Sequence, residues 1–131
     1  MTGTHRTEIR VRYQETDNMG VVYYANYFVW FEVARTEYLR ANGISYRDIE
    51  EKGMYMMVAG ASCRYKAPAR YDDLVRIETW IPGIKNSSLE FAHKLYVQDK
   101  LVATGESVHV FTDKTGRPVR MPEEVAGLSR G

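Results

Sequence analysis

Asp17 is the carboxylate with the clearest chemical setting in this chain. It lies in the run Arg12-Tyr-Gln-Glu-Thr-Asp17-Asn-Met-Gly20-Val-Val-Tyr-Tyr24-Ala-Asn-Tyr27, where an alternating pattern gives way to a helical one. A carboxylate at such a junction shares a small volume with the unpaired N–H groups of a helix N-terminus. There it can take a proton from water or attack a carbonyl carbon, while N–H groups hold the oxygen that gains charge. The plainer role for the same residue is a cap or an Asx turn. Asp17 stands seven residues before Tyr24, too far to cap a helix that begins there, whereas a start at Val21 would bring it closer. The helix that follows is strongly apolar and sets the carboxylate beside a dry cavity, as reactive carboxylates often are.

Other chemical patterns are weaker. Gly105-Glu-Ser107-Val-His109 approaches a nucleophile elbow but lacks the second glycine and falls inside a strand. Ser107 and His109 share one strand face at period two, and without a strained turn to expose the serine their role is structural. His5, His93, His109 and Cys63 have no metal-ligand spacing, and no phosphate-cradling glycine loop is present, so neither a metal nor a cofactor is expected. Cys63 sits in a strand-like run and reads as a small buried hydrophobe.

The elements that must position Asp17 follow from periodicity. Met1 to Arg6 reads as a tail, and Thr7 to Tyr13 alternates as a first strand. Asn18-Met19-Gly20 supplies turn chemistry, with Gly20 free to take a positive φ. From Tyr24 to Asn42 the apolar residues Tyr24, Tyr27, Phe28, Phe31, Ala34 and Tyr38 recur at three and four, predicting a long helix. Its first half, polar only at Asn26 and Glu32, is expected to be wrapped by sheet and partner, and its second half to approach solvent. Ser45-Tyr-Arg-Asp48 resembles a capping box for a short helix closed by Gly53. Strands are then predicted at Met54–Lys66, at Leu74–Ile81 before a Pro82-Gly83 stop, at Ser88–Val97, and at Leu101–Thr112. Gln98-Asp99-Lys100 joins the last two, Asp113 to Pro118 forms a turn, and Pro122-Glu-Glu opens a final helical turn. One strand, one long helix and four antiparallel strands predict an α+β fold, with a five-stranded sheet curled around the helix.

At 131 residues the chain reads as a single domain spanning 1–131, able to bury about two thirds of its unfolded surface. Eighteen Lys and Arg against seventeen Asp and Glu leave a net charge of +1 without a basic or acidic block, which argues against a nucleic-acid partner. No apolar run reaches the length of a membrane span and no leader opens the chain, so a cytoplasmic location is expected. Ten Tyr and six Met suit core and interface filling, or the lining of an apolar pocket. Edge strands of so small an open sheet need cover, and a homo-oligomer is expected.

The run Tyr13-Gln-Glu-Thr-Asp17-Asn-Met-Gly20-Val-Val-Tyr-Tyr24-Ala-Asn-Tyr27 resembles the signature of hotdog-fold acyl-CoA thioesterases of the 4-hydroxybenzoyl-CoA thioesterase family. It is nearest to the short-chain branch associated with the Tol–Pal system. The resemblance continues through Phe31-Glu-Val-Ala-Arg-Thr-Glu-Tyr-Leu-Arg40, Leu101-Val-Ala-Thr-Gly105, Val108 to Pro118, and Met121-Pro122.

That resemblance implies a hotdog fold and hydrolysis of a short aliphatic or aromatic acyl-CoA. The catalytic carboxylate falls on Asp17, as nucleophile or as general base, and the oxyanion donor on the backbone N–H of Tyr24. Tyr24 stands where one branch has His and matches the Tyr of the 4-hydroxybenzoyl enzyme. The acyl group is expected among Tyr13, Gly20, Val21, Tyr24, Tyr27, Phe28 and the Met54–Val58 segment with Met57 and Val58. Coenzyme A is expected near Lys66, Lys85, Ser87 and Ser88. The family assembles as dimers joined edge to edge, often paired into tetramers, with sites at the dimer interface. Two other roles fit a hotdog domain: a non-catalytic module binding acyl-CoA or acyl carrier protein, and a dehydratase. The dehydratase wants an Asp/His pair near the helix start, and no His lies between His5 and His93.

Overall fold

The computed structural model describes residues 3–130; Met1 and Thr2, the start of the expected tail, and Gly131 lie outside them. In chain order the elements are strand β1 (His5–Arg10), a 3₁₀ turn (Tyr13–Glu15), helix α1 (Asn26–Ala41) and helix α2 (Tyr46–Glu51). Strands β2 (Tyr55–Tyr65), β3 (Leu74–Ile84), β4 (Ser88–Val97) and β5 (Lys100–Thr112) follow, and then a helical turn α3 (Glu123–Ala126). The strands form one antiparallel sheet in the order β1-β3-β4-β5-β2. Helix α1 packs on it. The α+β reading, with five antiparallel strands and one long helix, is what the chain builds.

Helix α1 buries Tyr27, Trp30, Phe31, Ala34, Tyr38 and Leu39, spaced at three and four along one stripe. The stripe runs the whole length, so the expectation that the second half approaches solvent fails at Tyr38 and Leu39. These two are covered by a second apolar cluster that includes Ile49, Met56, Phe91, Phe111 and Val125, drawn from α2, three parts of the sheet side and α3. Burying each such large side chain stabilises the fold by roughly 1.5–3 kcal/mol. Ser45 caps α2 as expected, its Oγ accepting from the Asp48 N–H at 3.4 Å.

Several boundaries differ from the periodicity. The tail reading fails at His5 and Arg6, which pair with Thr79 and Glu78 on β3. The first strand ends at Arg10 because the chain turns into the 3₁₀ segment from Tyr13. Pro82-Gly83 does not stop β3: the register shifts between Trp80 and Gly83, and the strand resumes against Glu90 and Leu89. A bulge is where a sheet tolerates a proline that lacks its N–H.

Phe31 lies flat across the sheet. Its ring stacks on His93 with centroids 4.7 Å apart and planes 2° apart. A Cβ on Gly105 would stand 2.2 Å from its Cζ, so glycine at that point of β5 is what lets the ring sit there. His93 is fully buried with Nδ1 hydrogen-bonded to Thr79 Oγ1 at 2.9 Å, and Ser107 Oγ meets His109 Nε2 at 2.7 Å. Both Ser107 and His109 are buried, so this pair has the structural role expected of it and no access to a substrate.

Candidate active site

The loop between β1 and α1 is tied down by Glu15, a buried carboxylate. Its Oε1 accepts the Arg12 N–H at 2.8 Å, and its Oε2 accepts Trp30 Nε1 at 3.0 Å and the Arg12 guanidinium at 3.4 Å. Burial pushes the Glu15 pKa up, but these hydrogen bonds together outweigh it and leave the group below its ordinary value. The Glu15 carbonyl accepts the Tyr23 N–H at 2.8 Å and Asn26 Nδ2 at 2.9 Å. One residue thus fixes the strand end, the loop and the approach to α1.

Asp17 stands at the tip of this framed loop. Its N–H donates to Val21 O at 2.9 Å and its carbonyl accepts the Gly20 N–H at 3.0 Å, a turn that places Gly20 at φ +77°. Its Oδ1 accepts the N–H of Met19 at 2.9 Å and of Val21 at 3.4 Å. The Asx turn weighed against a chemical role is therefore real, and it engages one oxygen of the carboxylate. Among the described residues Oδ2 has no hydrogen-bond partner, so the turn holds the carboxylate in place and leaves an oxygen for chemistry.

The chain reaches the helix through two open residues. Asn26 N–H donates to Tyr23 O at 2.9 Å and Tyr27 N–H to Tyr24 O at 3.3 Å, and regular helix begins at Asn26 rather than Tyr24. Among the described residues the N–H groups of Tyr24 and Ala25 find no acceptor in the chain. These are the orphan donors of a helix start, with its partial positive charge behind them.

Asp17, Val21, Tyr24, Tyr27, Tyr65 and Lys66 line one cavity of about 390 Å³. Tyr65 closes it from the end of β2: its ring meets Tyr27 edge-on at 5.0 Å and Tyr24 at 6.3 Å, and its O–H donates to Tyr24 O at 3.0 Å. Burial pushes the Tyr27 phenol up. Burial and then the Cys63 thiol push Tyr65 up to about 12. Both phenols stay protonated near neutral pH.

Of the residues expected at a site, Asp17, Val21, Tyr24, Tyr27 and Lys66 meet here. Gly20 shapes the turn without lining the cavity. Tyr13 is exposed and edge-on to Tyr71 at 5.6 Å, and Phe28 packs toward the core against Phe31 at 5.7 Å. Met57 and Val58 are exposed on β2, a sheet edge, and Val58 helps line a separate hollow of about 170 Å³ beside Arg35 and Tyr46. Lys85 and Ser88 flank a third hollow of about 180 Å³ at the turn between β3 and β4, while the Ser87 carbonyl accepts the Phe111 N–H at 2.8 Å. Within one chain they are not part of the Asp17 cavity. Glu15 and Tyr65 were not expected. The only signal for Glu15 was an indole N–H at Trp30 that burial obliges to find an acceptor. Among the described residues no three His, Cys, Asp or Glu side chains gather so as to hold a metal ion, and no helix is long and apolar enough to cross a membrane.

A five-stranded antiparallel sheet on one long helix, with a carboxylate and a helix start on one cavity, is the hotdog architecture, and solved structures bear this out. The DHNA-CoA thioesterase of Staphylococcus aureus matches with a TM-score of 0.92 at 32% identity, over 97% of this chain and 89% of that one. A gentisyl-coenzyme A thioesterase matches with a TM-score of 0.88 at 27% identity, over 93% and 99%. In sequence, the acyl-CoA thioesterase YbgC of Haemophilus influenzae is 35% identical over 89% of this chain and 88% of its own. Residues 11–127 match the thioesterase-like superfamily, and the chain belongs to it. It is a thioester hydrolase of that superfamily.

Proposed function

We propose that this chain hydrolyses acyl-CoA thioesters with short aliphatic or aromatic acyl groups, with Asp17 as the catalytic carboxylate and the Tyr24 N–H as oxyanion donor. The observation that carries the reading is that Asp17 and Tyr24 line the same cavity, one with a carboxylate oxygen and the other with an N–H that have no partner among the described residues. Asp17 either takes a proton from water as the water attacks the carbonyl carbon, or attacks that carbon itself to give a mixed anhydride that water then opens. In both routes the carbonyl oxygen becomes negative beside the helix start, where one well-placed donor is worth roughly 3 kcal/mol of barrier. Collapse of the tetrahedral centre breaks the carbon–sulfur bond and releases the thiolate. A thiol of pKa about 8.5 leaves without a strong general acid, so Tyr24 in place of His costs the reaction little.

The walls at Tyr24, Tyr27 and Tyr65 suit a planar ring, which offset or edge-on contacts with aromatic side chains favour. The DHNA-CoA and gentisyl-coenzyme A thioesterases among its structural neighbours support the aromatic side of the range. Lys66 at the cavity wall suits a phosphate of coenzyme A. Lys85, Ser87 and Ser88 serve coenzyme A only if a second copy brings them to the cavity. The exposed Met57 and Val58 on β2 support such a copy, joined edge to edge as a dimer, with dimers pairing into a tetramer. The test is thiol release from a panel of benzoyl-type and short straight-chain acyl-CoAs, with acyl carrier protein thioesters alongside. Faster turnover of the aromatic members supports the reading. No turnover of any acyl-CoA overturns it.

A further inference from the structure

We propose that Tyr65 is a positioning residue for the oxyanion site: its hydroxyl clamps the turn at Tyr24 from the opposite wall of the cavity. This rests on the assignment of the Tyr24 N–H as oxyanion donor.

The segment from Tyr23 to Ala25 precedes the regular helix, which begins at Asn26. Two fixings come from the loop side, where the Glu15 carbonyl accepts the Tyr23 N–H and the Asn26 side chain at 2.8 and 2.9 Å. These hold the segment at Tyr23 and at the first helical residue, Asn26. Its middle, the peptide joining Tyr24 to Ala25, is held by two donors to the Tyr24 carbonyl. One is the Tyr27 N–H at 3.3 Å, and the other, shorter, is the Tyr65 hydroxyl at 3.0 Å. The shorter contact comes from a strand 41 residues away in sequence and joins the sheet edge to the helix start across the cavity mouth.

This arrangement bears on catalysis in two ways. Stabilisation of a developing oxyanion depends on donors fixed before the charge appears, because a donor that must reorient gives back its advantage. The clamp removes that freedom from the residue whose N–H is free. It also polarises the Tyr24–Ala25 peptide, since a bond to a carbonyl oxygen makes the N–H of the same peptide a better donor. That N–H, on Ala25, is the second donor without an acceptor among the described residues. The phenol is suited to the task because its raised pKa keeps the proton on oxygen near neutral pH.

Tyr65→Phe removes the hydroxyl and keeps the ring contacts to Tyr24 and Tyr27. Thiol release from acyl-CoA is measured for wild type and variant, with the thermal midpoint and the amide NMR positions of Tyr24 and Ala25. The expected result is a kcat about tenfold lower with KM and midpoint unchanged and both amides displaced. A kcat equal to wild type overturns the clamp while leaving the thioesterase reading intact. So does a raised KM at unchanged kcat, which would make Tyr65 a wall of the binding site only. If the variant is destabilised, unmoved amide positions at a temperature where it is folded overturn the clamp. A wild type that releases no thiol overturns the clamp together with the reading beneath it.

Discussion

Trp30 Nε1 donates to Glu15 Oε2 at 3.0 Å inside the core, and this bond fixes the loop that carries Asp17 and Tyr24 to helix α1. Both groups of the site are therefore held by a buried polar pair as well as by the loop's own hydrogen bonds.

Trp30→Phe fills most of the indole volume but leaves Glu15 Oε2 with only the longer contact to the Arg12 guanidinium at 3.4 Å. Losing the shorter of two hydrogen bonds to a buried carboxylate oxygen costs about 1 kcal/mol or more, to be read from urea unfolding. Combined with Glu15→Gln the two losses should be less than additive, because each variant breaks the same contact. Additive losses would mean the pair does not act as one pin.

Much of this was legible from local pattern. The apolar spacing of α1, the limits of β4 at Ser88 and Val97, and the turn at Asp17–Gly20 are all short-range features, and the structure shows each of them. The limits of pattern appear where partners are far apart in sequence. Glu15 meets Trp30 across 15 residues and Tyr65 meets Tyr24 across 41, and no periodicity reports such contacts. Pro82-Gly83 misled for a different reason: a strand end and a strand bulge draw on the same residues, and only the partner strand distinguishes them. The second half of α1 is buried against expectation because part of its cover comes from α2 and α3, short elements with little apolar signal of their own, beside Met56, Phe91 and Phe111 of the sheet.

Acid should weaken this fold before its carboxylates titrate. Burial, then the nearby Arg35 charge, then His109, lower the pKa of His93 to about 3; burial and then Arg35 lower that of His109 to about 4. An unfolded imidazole titrates at about 6.5. Below that pH the unfolded chain takes up protons that the folded core refuses, so stability falls as pH drops from about 6.5 toward 4. At and above neutral pH this contribution is fully present. The thermal midpoint should decline between pH 7 and 4.5, and His93→Leu should flatten the decline. An unaltered slope in the variant would rule out His93 as a cause.

Gly105→Ala should destabilise by about 1–3 kcal/mol, since the new methyl meets the Phe31 ring, which stacks on His93 of the neighbouring strand. The measurement is chemical denaturation. A neutral result would show that Phe31 can leave the sheet freely, and that the stack does not fix α1.

The most direct test of the whole account is thiol release from acyl-CoA by wild type and by Asp17→Asn at equal, verified fold stability. The amide oxygen of Asn can still accept from the Met19 N–H, so the Asx turn survives and only the reactive charge is lost. The account predicts a loss of turnover by roughly 100-fold or more with acyl-CoA still bound. Turnover undiminished in the variant would contradict it, and would reduce Asp17 to the turn residue that its Oδ1 contacts alone describe.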